Sequence, residues 1–173
     1  MSDSTETVEA VSAKQQMRDE MMAKLRALTP NDRLARSAQI CARVLQSSIW
    51  QNARAIALFS PLRSEPEISF LQNSARSGGQ TMMMIPPMLR VEADLELLKM
   101  PDLILVPAIA FSRDGHRLGR GHGFYDRLLG GRAASAFKLG VCFSFQRLET
   151  VRVEPHDIVM DQVMTDSDDS AVL

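Results

Sequence analysis

The length, composition and charge of the chain indicate one ordinary globular domain. It has 173 residues, 45% of them hydrophobic, which is enough to build a full core. The formal net charge of −1 gives no overall attraction to nucleic acid or membranes, and no apolar run approaches the roughly 18 residues that cross a bilayer. Residues 1–10 are acidic and polar, unlike a signal peptide, so we predict a disordered lead-in there.

The cysteines and methionines predict core packing rather than metal binding. Cys41 and Cys142 lie in apolar stretches without a CxxC partner, so we predict buried thiols in a reducing cytoplasm. The eleven methionines are typical of core filling, because a copper site would need spaced, exposed thioethers. We expect a single domain over residues 11–166 and a flexible tail over 167–173.

Two helices are predicted before the first strand. Residues 10–28 form the first helix, since its apolar side chains recur at spacings of three and four: Met17, Met21, Leu25 and Leu28. Lys14 and Arg18 lie on or beside this core-facing stripe, where they either snorkel to solvent or face a ligand. The second helix begins at the Thr29 cap with Pro30 and ends near Ser48. Its predicted buried face consists of Leu34, Ala38, Cys41 and Leu45.

Five apolar runs of strand length follow, and they are nearly continuous, which is typical of strands covered on both faces. They are residues 55–60, 81–86, 103–111, 138–144 and, more weakly, 162–165. Helical patterns at 66–76 and 124–129 lie between them. This alternation predicts an α/β layered domain with a mainly parallel central sheet. Ligands bind such sheets where strands end, which selects the loops at 61–69 and 112–126.

The loop 117-RLGRGHGFYD-126 predicts an anion-binding site. Its alternating glycines allow a ligand to approach the backbone closely, and successive free N–H groups bind anions. Residues 117–132 carry four arginines and one aspartate, a local charge of +3 on a chain of −1. Guanidinium groups match phosphate oxygens. The GxxxxGK[ST] and GxGxxG patterns are absent, so the residues indicate a phosphorylated ligand, with a flexible surface turn as the alternative.

Three carboxylates are candidates for the same region. Asp126 is either a helix residue stabilised by the dipole or a ligand for Mg²⁺, with Asp157 as the second carboxylate. Glu67 either forms a capping box with Ser64 or contacts a polar ligand. The three histidines lack metal-like spacing and no serine has a GxSxG context, so a hydrolase triad is not predicted.

The run 102-DLILVPAIAFSRDGHRLGRGHGFYDRLL-129 closely resembles the signature of the 5-formyltetrahydrofolate cyclo-ligase family, also called methenyltetrahydrofolate synthetases. Other pieces resemble the family in the right order, over roughly residues 14–166: Lys14-x-x-x-Arg18, 64-SEPEI-68, Phe145-Gln146, 155-PHD-157 and Asp161. The resemblance implies an α/β layered sandwich similar to the sugar isomerase and CoA-transferase-like folds.

The resemblance also implies an activity, the ATP- and Mg²⁺-dependent conversion of 5-formyltetrahydrofolate to 5,10-methenyltetrahydrofolate with release of ADP and phosphate. In that family the formyl oxygen attacks the γ-phosphate, N10 closes the ring and phosphate leaves, chemistry that needs fixed cations and N–H donors. The implied partner is a small-molecule folate, without nucleic acid or membrane, and a monomer is favoured.

Matching motifs imply a role for each residue. ATP would contact Lys14, Arg18, Arg117, Leu118, Gly119, Arg120, Gly121, His122, Gly123, Phe124 and Tyr125. Arg120 would be catalytic, and the folate would contact Glu67, Arg120 and Phe124. Asp126 and Asp157 would hold Mg²⁺.

The sequence departs from the family pattern in ways that keep other hypotheses open. Ser69 and Phe70 replace the usual acid and threonine, and His122 would be a cation only when protonated. The connection over 87–102 is much shorter than is usual, which predicts a reduced wall on the folate side. The alternatives are a homologue that binds a nucleotide or folate without turnover and, on fold analogy alone, a phosphosugar isomerase.

Overall fold

The computed structural model describes residues 3–87 and 100–167, with side chains from residue 13 onward. The predicted short connection over 87–102 therefore lies mostly outside the described residues, as does the tail beyond Ser167. None of the helices in these ranges is long and apolar enough to cross a membrane.

The amino-terminal half of the chain is mainly helical. Helix α1 spans Asp3–Ala27, α2 spans Pro30–Gln46 and α3 spans Ser48–Asn52. The prediction of a disordered lead-in over 1–10 is wrong from Asp3 onward, because no glycine or proline interrupts the helix from there. Helix α2 has the predicted cap, since the Asp32 N–H donates to Thr29 Oγ1 at 3.1 Å.

Eight strands, two more α-helices and a short 3₁₀-helix at Ser144–Gln146 complete the described residues. In chain order the strands and α-helices are β1 (Ala55–Phe59), α4 (Ser69–Ser77), β2 (Thr81–Ile85), β3 (Leu103–Pro107), β4 (Ala110–Ser112), β5 (Arg117–Leu118), α5 (Phe124–Gly130), β6 (Phe137–Val141), β7 (Arg147–Leu148) and β8 (Gln162–Met164). Five of the strands form a fully parallel sheet in the order β2-β1-β3-β6-β8. Central strand β3 is buried along its whole length. The predicted α/β layered fold is confirmed.

The predicted strand over 103–111 is instead two strands in two sheets. Strand β3 ends at Pro107, which lacks an N–H, and β4 pairs with β5 and β7 in a second, three-stranded sheet. Between them, the buried Gln146 side chain donates to the carbonyls of Ala108 and Ile109 at 3.0 Å each. This side chain satisfies backbone groups that a continuous strand would have paired.

Two apolar clusters pack on the faces of the large sheet. The α1 stripe lies in the first, with Met21 and Leu25 buried and Met17 and Leu28 packed against them, as predicted. The predicted face of α2 is partly wrong, because Leu34 is 53% exposed and Ala38 is exposed. The buried residues of α2 are Ser37, Ile40, Cys41 and Val44. Cys41 and Cys142 are both buried, as expected.

Candidate active site

A cavity of about 690 Å³ opens at the carboxyl ends of three neighbouring parallel strands. The residues that border it are Phe59 and Ser60 at the end of β1, Ile85 and Pro86 at the end of β2, and Pro107 and Ala108 at the end of β3. This is where parallel sheets bind ligands, because strand ends and loops meet there. The apolar part of the lining consists of Phe59, Leu62, Ile85, Pro86, Pro87, Pro107 and Ala108.

The predicted glycine loop forms most of the polar part of the lining, and every residue from Arg117 to Arg127 borders the cavity. Gly121 has φ +94° and Gly123 has φ +63°, conformations that L side chains rarely adopt. A side chain at Gly119 would lie 2.5 Å from the Arg117 guanidinium. The glycines are therefore needed for the path of this backbone and for the close packing of Arg117.

Helix α1 brings the two predicted basic residues to this loop. The Arg18 Nε–H donates to the Gly119 carbonyl at 2.9 Å, and both Lys14 and Arg18 line the cavity. Lys14 is only 12% exposed at its side chain, and its Nζ lies 2.8 Å from Glu154 Oε1 and 3.7 Å from Asp157 Oδ2. The structure thus favours the interpretation in which these cations face a ligand site over snorkelling to solvent.

Arg117 is buried beneath the loop and holds Asp126. Its side chain is 7% exposed, its Nη2 lies 2.8 Å from Asp126 Oδ2, and its Cζ lies 5.5 Å from the centre of the Tyr125 ring. Tyr125 in turn packs edge-on against Phe124, with ring centres 5.0 Å apart. Burial raises the pKa of Tyr125, so its hydroxyl stays protonated. These contacts fix the first turn of α5 against the cavity.

Glu65, and not Glu67, is the acid of the loop after β1 that lines the cavity. Glu65 is 6% exposed, and burial raises the pKa of its carboxyl, against the opposing effects of the Leu62 N–H and Arg120. The Arg120 Nη2 lies 3.4 Å from Glu65 Oε1 and donates to Ser64 Oγ at 2.6 Å. Sequence reasoning missed Glu65, although 64-SEPE-67 contains both acids.

The structure places Glu67 outside the cavity lining. Its Oε1 accepts the Ser69 N–H at 3.1 Å, and its own N–H donates to Ser37 Oγ at 2.9 Å. The capping box predicted with Ser64 is absent as well, because Ile68 is the cap residue of α4 and Ser64 contacts Arg120. In this structure Glu67 therefore supports the start of a helix, whereas the sequence predicted that it meets the substrate.

The two carboxylates predicted to hold a metal, Asp126 and Asp157, both line the cavity. Asp157 belongs to a group with Glu154 and His156, whose ligand atoms all lie within 4.8 Å of one another; among the described residues, this group does not include Asp126. Lys14 holds the pKa of Glu154 below its usual range. Carboxylate oxygens suit Mg²⁺, so Asp126 and the group around Asp157 both offer chemically suitable ligands. No spacing pattern in the sequence indicated Glu154.

The fold and cavity together define an α/β protein with a cavity of the size that holds a small molecule. Arginines, a lysine and a glycine-rich backbone line this cavity together with apolar side chains and the buried acid Glu65. Comparison with known proteins identifies the family to which the chain belongs.

A sequence model of the 5-formyltetrahydrofolate cyclo-ligase family matches residues 10–101 and 85–166, and the chain belongs to this family of ligases. The 5-formyltetrahydrofolate cyclo-ligase of Mus musculus is 26% identical over 190 residues, covering 88% of this chain and 93% of the mouse protein. The protein of that name from Mycolicibacterium smegmatis is 50% identical over 64 residues, covering 37% of this chain and 33% of its own length. Because 190 exceeds the 173 residues of this chain, the mouse protein contains insertions relative to it.

Solved structures share the fold. A 5,10-methenyltetrahydrofolate synthetase from Mycoplasma pneumoniae superposes with a TM-score of 0.74 at 22% identity, covering 89% of this chain and 99% of that one. The synthetase of the same name from Aquifex aeolicus gives 0.73 at 24% identity, covering 90% of each chain. The resemblance to this family that the signature stretch suggested is thus confirmed, and it extends over most of the chain.

Proposed function

We propose that the protein converts 5-formyltetrahydrofolate to 5,10-methenyltetrahydrofolate with consumption of ATP and release of ADP and phosphate. The observation that carries the proposal is the lining of this cavity in a member of the family: a cationic wall formed by α1 and the glycine loop, and an apolar wall formed at the strand ends. A nucleotide triphosphate suits the cationic wall and a flat pterin ring suits the apolar wall. The coupling of the two needs both ligands in one cavity.

The cationic wall supplies the charge that phosphoryl transfer requires. We assign ATP contacts to Lys14, Arg18 and the loop from Arg117 to Tyr125, because these groups already converge on one space. Lys14 and Arg117 are each paired with a carboxylate, so an incoming phosphate would exchange with or join an existing ion pair. Fixed cations of this kind stabilise charge on a transferring phosphoryl group.

Arg120 lies between the two walls and is our candidate for the catalytic residue. It belongs to the glycine loop but contacts the loop after β1 through Ser64 and Glu65. Its guanidinium can therefore meet the oxygen that is shared between formyl group and phosphoryl group. For the folate we propose contacts with Arg120, Phe124 and Glu65, and Glu65 takes the role that the sequence assigned to Glu67.

We assign Mg²⁺ to the carboxylates of Asp126 and Asp157, which border the cavity from opposite elements. A bound Mg²⁺ would neutralise phosphate charge. Each carboxylate already has a cationic neighbour, Arg117 for Asp126 and Lys14 for Asp157, which holds it in place before the ion arrives. His122 is exposed on the loop and also borders the cavity.

The proposal is tested with purified protein, 5-formyltetrahydrofolate, ATP and Mg²⁺, by following the absorbance of methenyltetrahydrofolate. We expect absorbance to rise only when all three components are present. Absence of turnover in folded protein that still binds ATP by calorimetry would contradict it.

One observation favours a second candidate, a family member that binds nucleotide or folate without turnover. The family match breaks into two pieces that overlap over residues 85–101, where the sequence predicts the shortened connection. A wall that is reduced there would admit water to a reactive intermediate. Calorimetric binding of ATP and of folate without product would favour this candidate.

A further inference from the structure

We infer that Ser64 positions the Arg120 guanidinium for the reaction, an inference that rests on the proposed function and gives Ser64 no contact with substrate. The Arg120 Nη2 donates to Ser64 Oγ at 2.6 Å, and the same nitrogen lies 3.4 Å from Glu65 Oε1. Through these contacts one arginine joins the glycine loop to the loop after β1. Both loops border the cavity.

The turn that carries Ser64 is held rigidly. The Glu65 N–H donates to the Leu62 carbonyl at 2.9 Å, and the Leu62 N–H donates back to Glu65 Oε2 at 2.9 Å. From α2, Arg33 Nη1 donates to the Glu65 carbonyl at 3.2 Å. Because its backbone is fixed from several directions, the Ser64 hydroxyl is an acceptor at a defined place.

Arg120 needs such an acceptor. Its side chain is 35% exposed, and a long, partly exposed arginine has many rotamers to lose when it is ordered. Both contacts use Nη2, so they leave the donors on Nε and Nη1 for a ligand. Ser64 thus orders the guanidinium without occupying all of its donors.

The hydroxyl is better suited to this role than the neighbouring carboxylate. Glu65 lies farther from Arg120, and its Oε2 already accepts the Leu62 N–H. A neutral hydroxyl orients the guanidinium without placing a second negative charge next to it, so more of its positive charge remains for a phosphoryl group than if Ser64 were an acid. A carboxylate at the same distance would cancel much of that charge.

The variants Ser64→Ala, Ser64→Thr and Ser69→Ala test the inference in the cyclo-ligase assay. For Ser64→Ala we expect kcat to fall about tenfold with little change in the KM for ATP, as for loss of a hydrogen bond to a charged group. Ser64→Thr keeps the hydroxyl and should restore most of kcat. Ser69 lies nearby but outside the cavity lining, so Ser69→Ala should behave as wild type.

A double-mutant cycle separates positioning from a general structural effect. In an Arg120→Ala background, Ser64→Ala should cause no further loss of kcat, because its partner is gone. An unchanged kcat in Ser64→Ala, or the same loss in both backgrounds, would overturn the inference and leave the proposed function standing.

A second readout does not need turnover. It uses the wild type, Ser64→Ala, Arg120→Ala and the double variant. In thermal unfolding, Ser64→Ala should lower the Tm of the wild type and have no effect in the Arg120→Ala background. Additive shifts in Tm would show that the contact is absent and overturn the inference. If the Tm shifts of Ser64→Ala and Arg120→Ala are not additive but the wild type has no turnover, the contact exists and the proposed function fails. The positioning role then fails with it.

Discussion

Glu65 and Glu67 lie two positions apart in one loop, and the backbone turn between them sends their carboxylates to different places. Glu65 is buried beside the cavity and pairs with Arg120, whereas Glu67 accepts an N–H at the start of α4. The sequence alone favoured Glu67, because it precedes an apolar residue as in the family pattern. Which of two acids faces a ligand depends on backbone dihedrals that a sequence pattern does not encode.

Glu65→Gln and Glu67→Gln form a matched pair of variants. We expect Glu65→Gln to lose at least tenfold in kcat/KM for the folate, since its charge meets Arg120 inside the cavity. Glu67→Gln should keep near-wild-type activity. Steady-state kinetics with varied 5-formyltetrahydrofolate measures both, and a larger loss in Glu67→Gln would return the substrate role to that residue.

Glu65→Gln should also change how stability depends on pH. Burial raises the folded-state pKa of Glu65 above its ordinary value of 4.5, so folding favours its protonated form. The contribution of Glu65 to stability therefore falls as the pH rises through the raised pKa. Glu65→Gln removes this pH-dependent loss of stability, so the Tm of the variant at neutral pH should equal or exceed that of the wild type. A lower Tm that falls further with rising pH would contradict the assignment.

Asp126→Asn tests the metal assignment at the other wall. The variant keeps an acceptor for Arg117 but loses the charge that Mg²⁺ needs, so we expect the Mg²⁺ concentration for half-maximal activity to rise several-fold. Asp19→Asn, at an exposed site on α1 that pairs with Gln15, is the control. Activity titrated with Mg²⁺ measures both variants, and an unchanged titration for Asp126→Asn would remove it from the metal site.

At the scale of elements, the site depends on how β6 packs against β4. Gly140 is buried in β6, and an added Cβ would lie 2.8 Å from Phe111 and 3.0 Å from Val163. Phe111 is fully buried and has no room to retreat. Glycine at this position lets the small sheet, with the glycine loop after β5, approach the large one.

Gly140→Ala should therefore destabilise the fold by about 1–3 kcal/mol, as is usual for overpacking a core. Chemical denaturation measures this as a lower midpoint with an unchanged slope. Gly130→Ala is the matched control, because its added methyl group would lie at an ordinary 3.7 Å from Ile158. Equal midpoints for Gly140→Ala and wild type would contradict the packing argument.

Periodicity predicted the elements well where one physical cause dominates. The spacing of Met17, Met21, Leu25 and Leu28 predicted the core stripe of α1, and continuous apolar runs predicted the parallel strands. The prediction of one strand over 103–111 was wrong because both halves of this run are buried and equally apolar. Composition does not reveal that the first strand ends at Pro107. The prediction that Leu34 is buried was wrong because an apolar side chain on a helix can lie outside the core.

Across the whole molecule, Asp102 joins two strands of the large sheet. Its Oδ2 accepts the N–H groups of Arg54 and Ala55 at 2.8 and 2.9 Å, so it ties the start of β3 to that of β1. These N–H groups hold the pKa of Asp102 below its ordinary value of 3.8. With a lowered folded-state pKa, its stabilisation is present above pH 3.8 and is lost as the pH falls through the lowered pKa.

Asp102→Ala should accordingly lower the Tm at pH 7, and the difference from wild type should shrink as the pH is brought below 3.8. Thermal unfolding monitored over a pH series measures this. A Tm difference that stays constant down to acidic pH would mean that the charge of Asp102 is not what ties the strands.

The cavity is a property of the whole chain, because α1, the loop after β1, the glycine loop and the stretch 154–157 each contribute to its wall. The signature run predicted one of these contributions and the basic stripe of α1 another. The pairing of Lys14 with Glu154 could not be predicted, because nothing in the sequence relates two residues so far apart.

The central claim is that this one cavity couples ATP consumption to ring closure of the folate. The most direct test measures methenyltetrahydrofolate by absorbance and ADP by chromatography in the same reaction of wild-type protein with 5-formyltetrahydrofolate, ATP and Mg²⁺. We expect both products to appear together in equal amounts and neither to form without the folate. Release of ADP without methenyltetrahydrofolate, or binding of both ligands without either product, would contradict it.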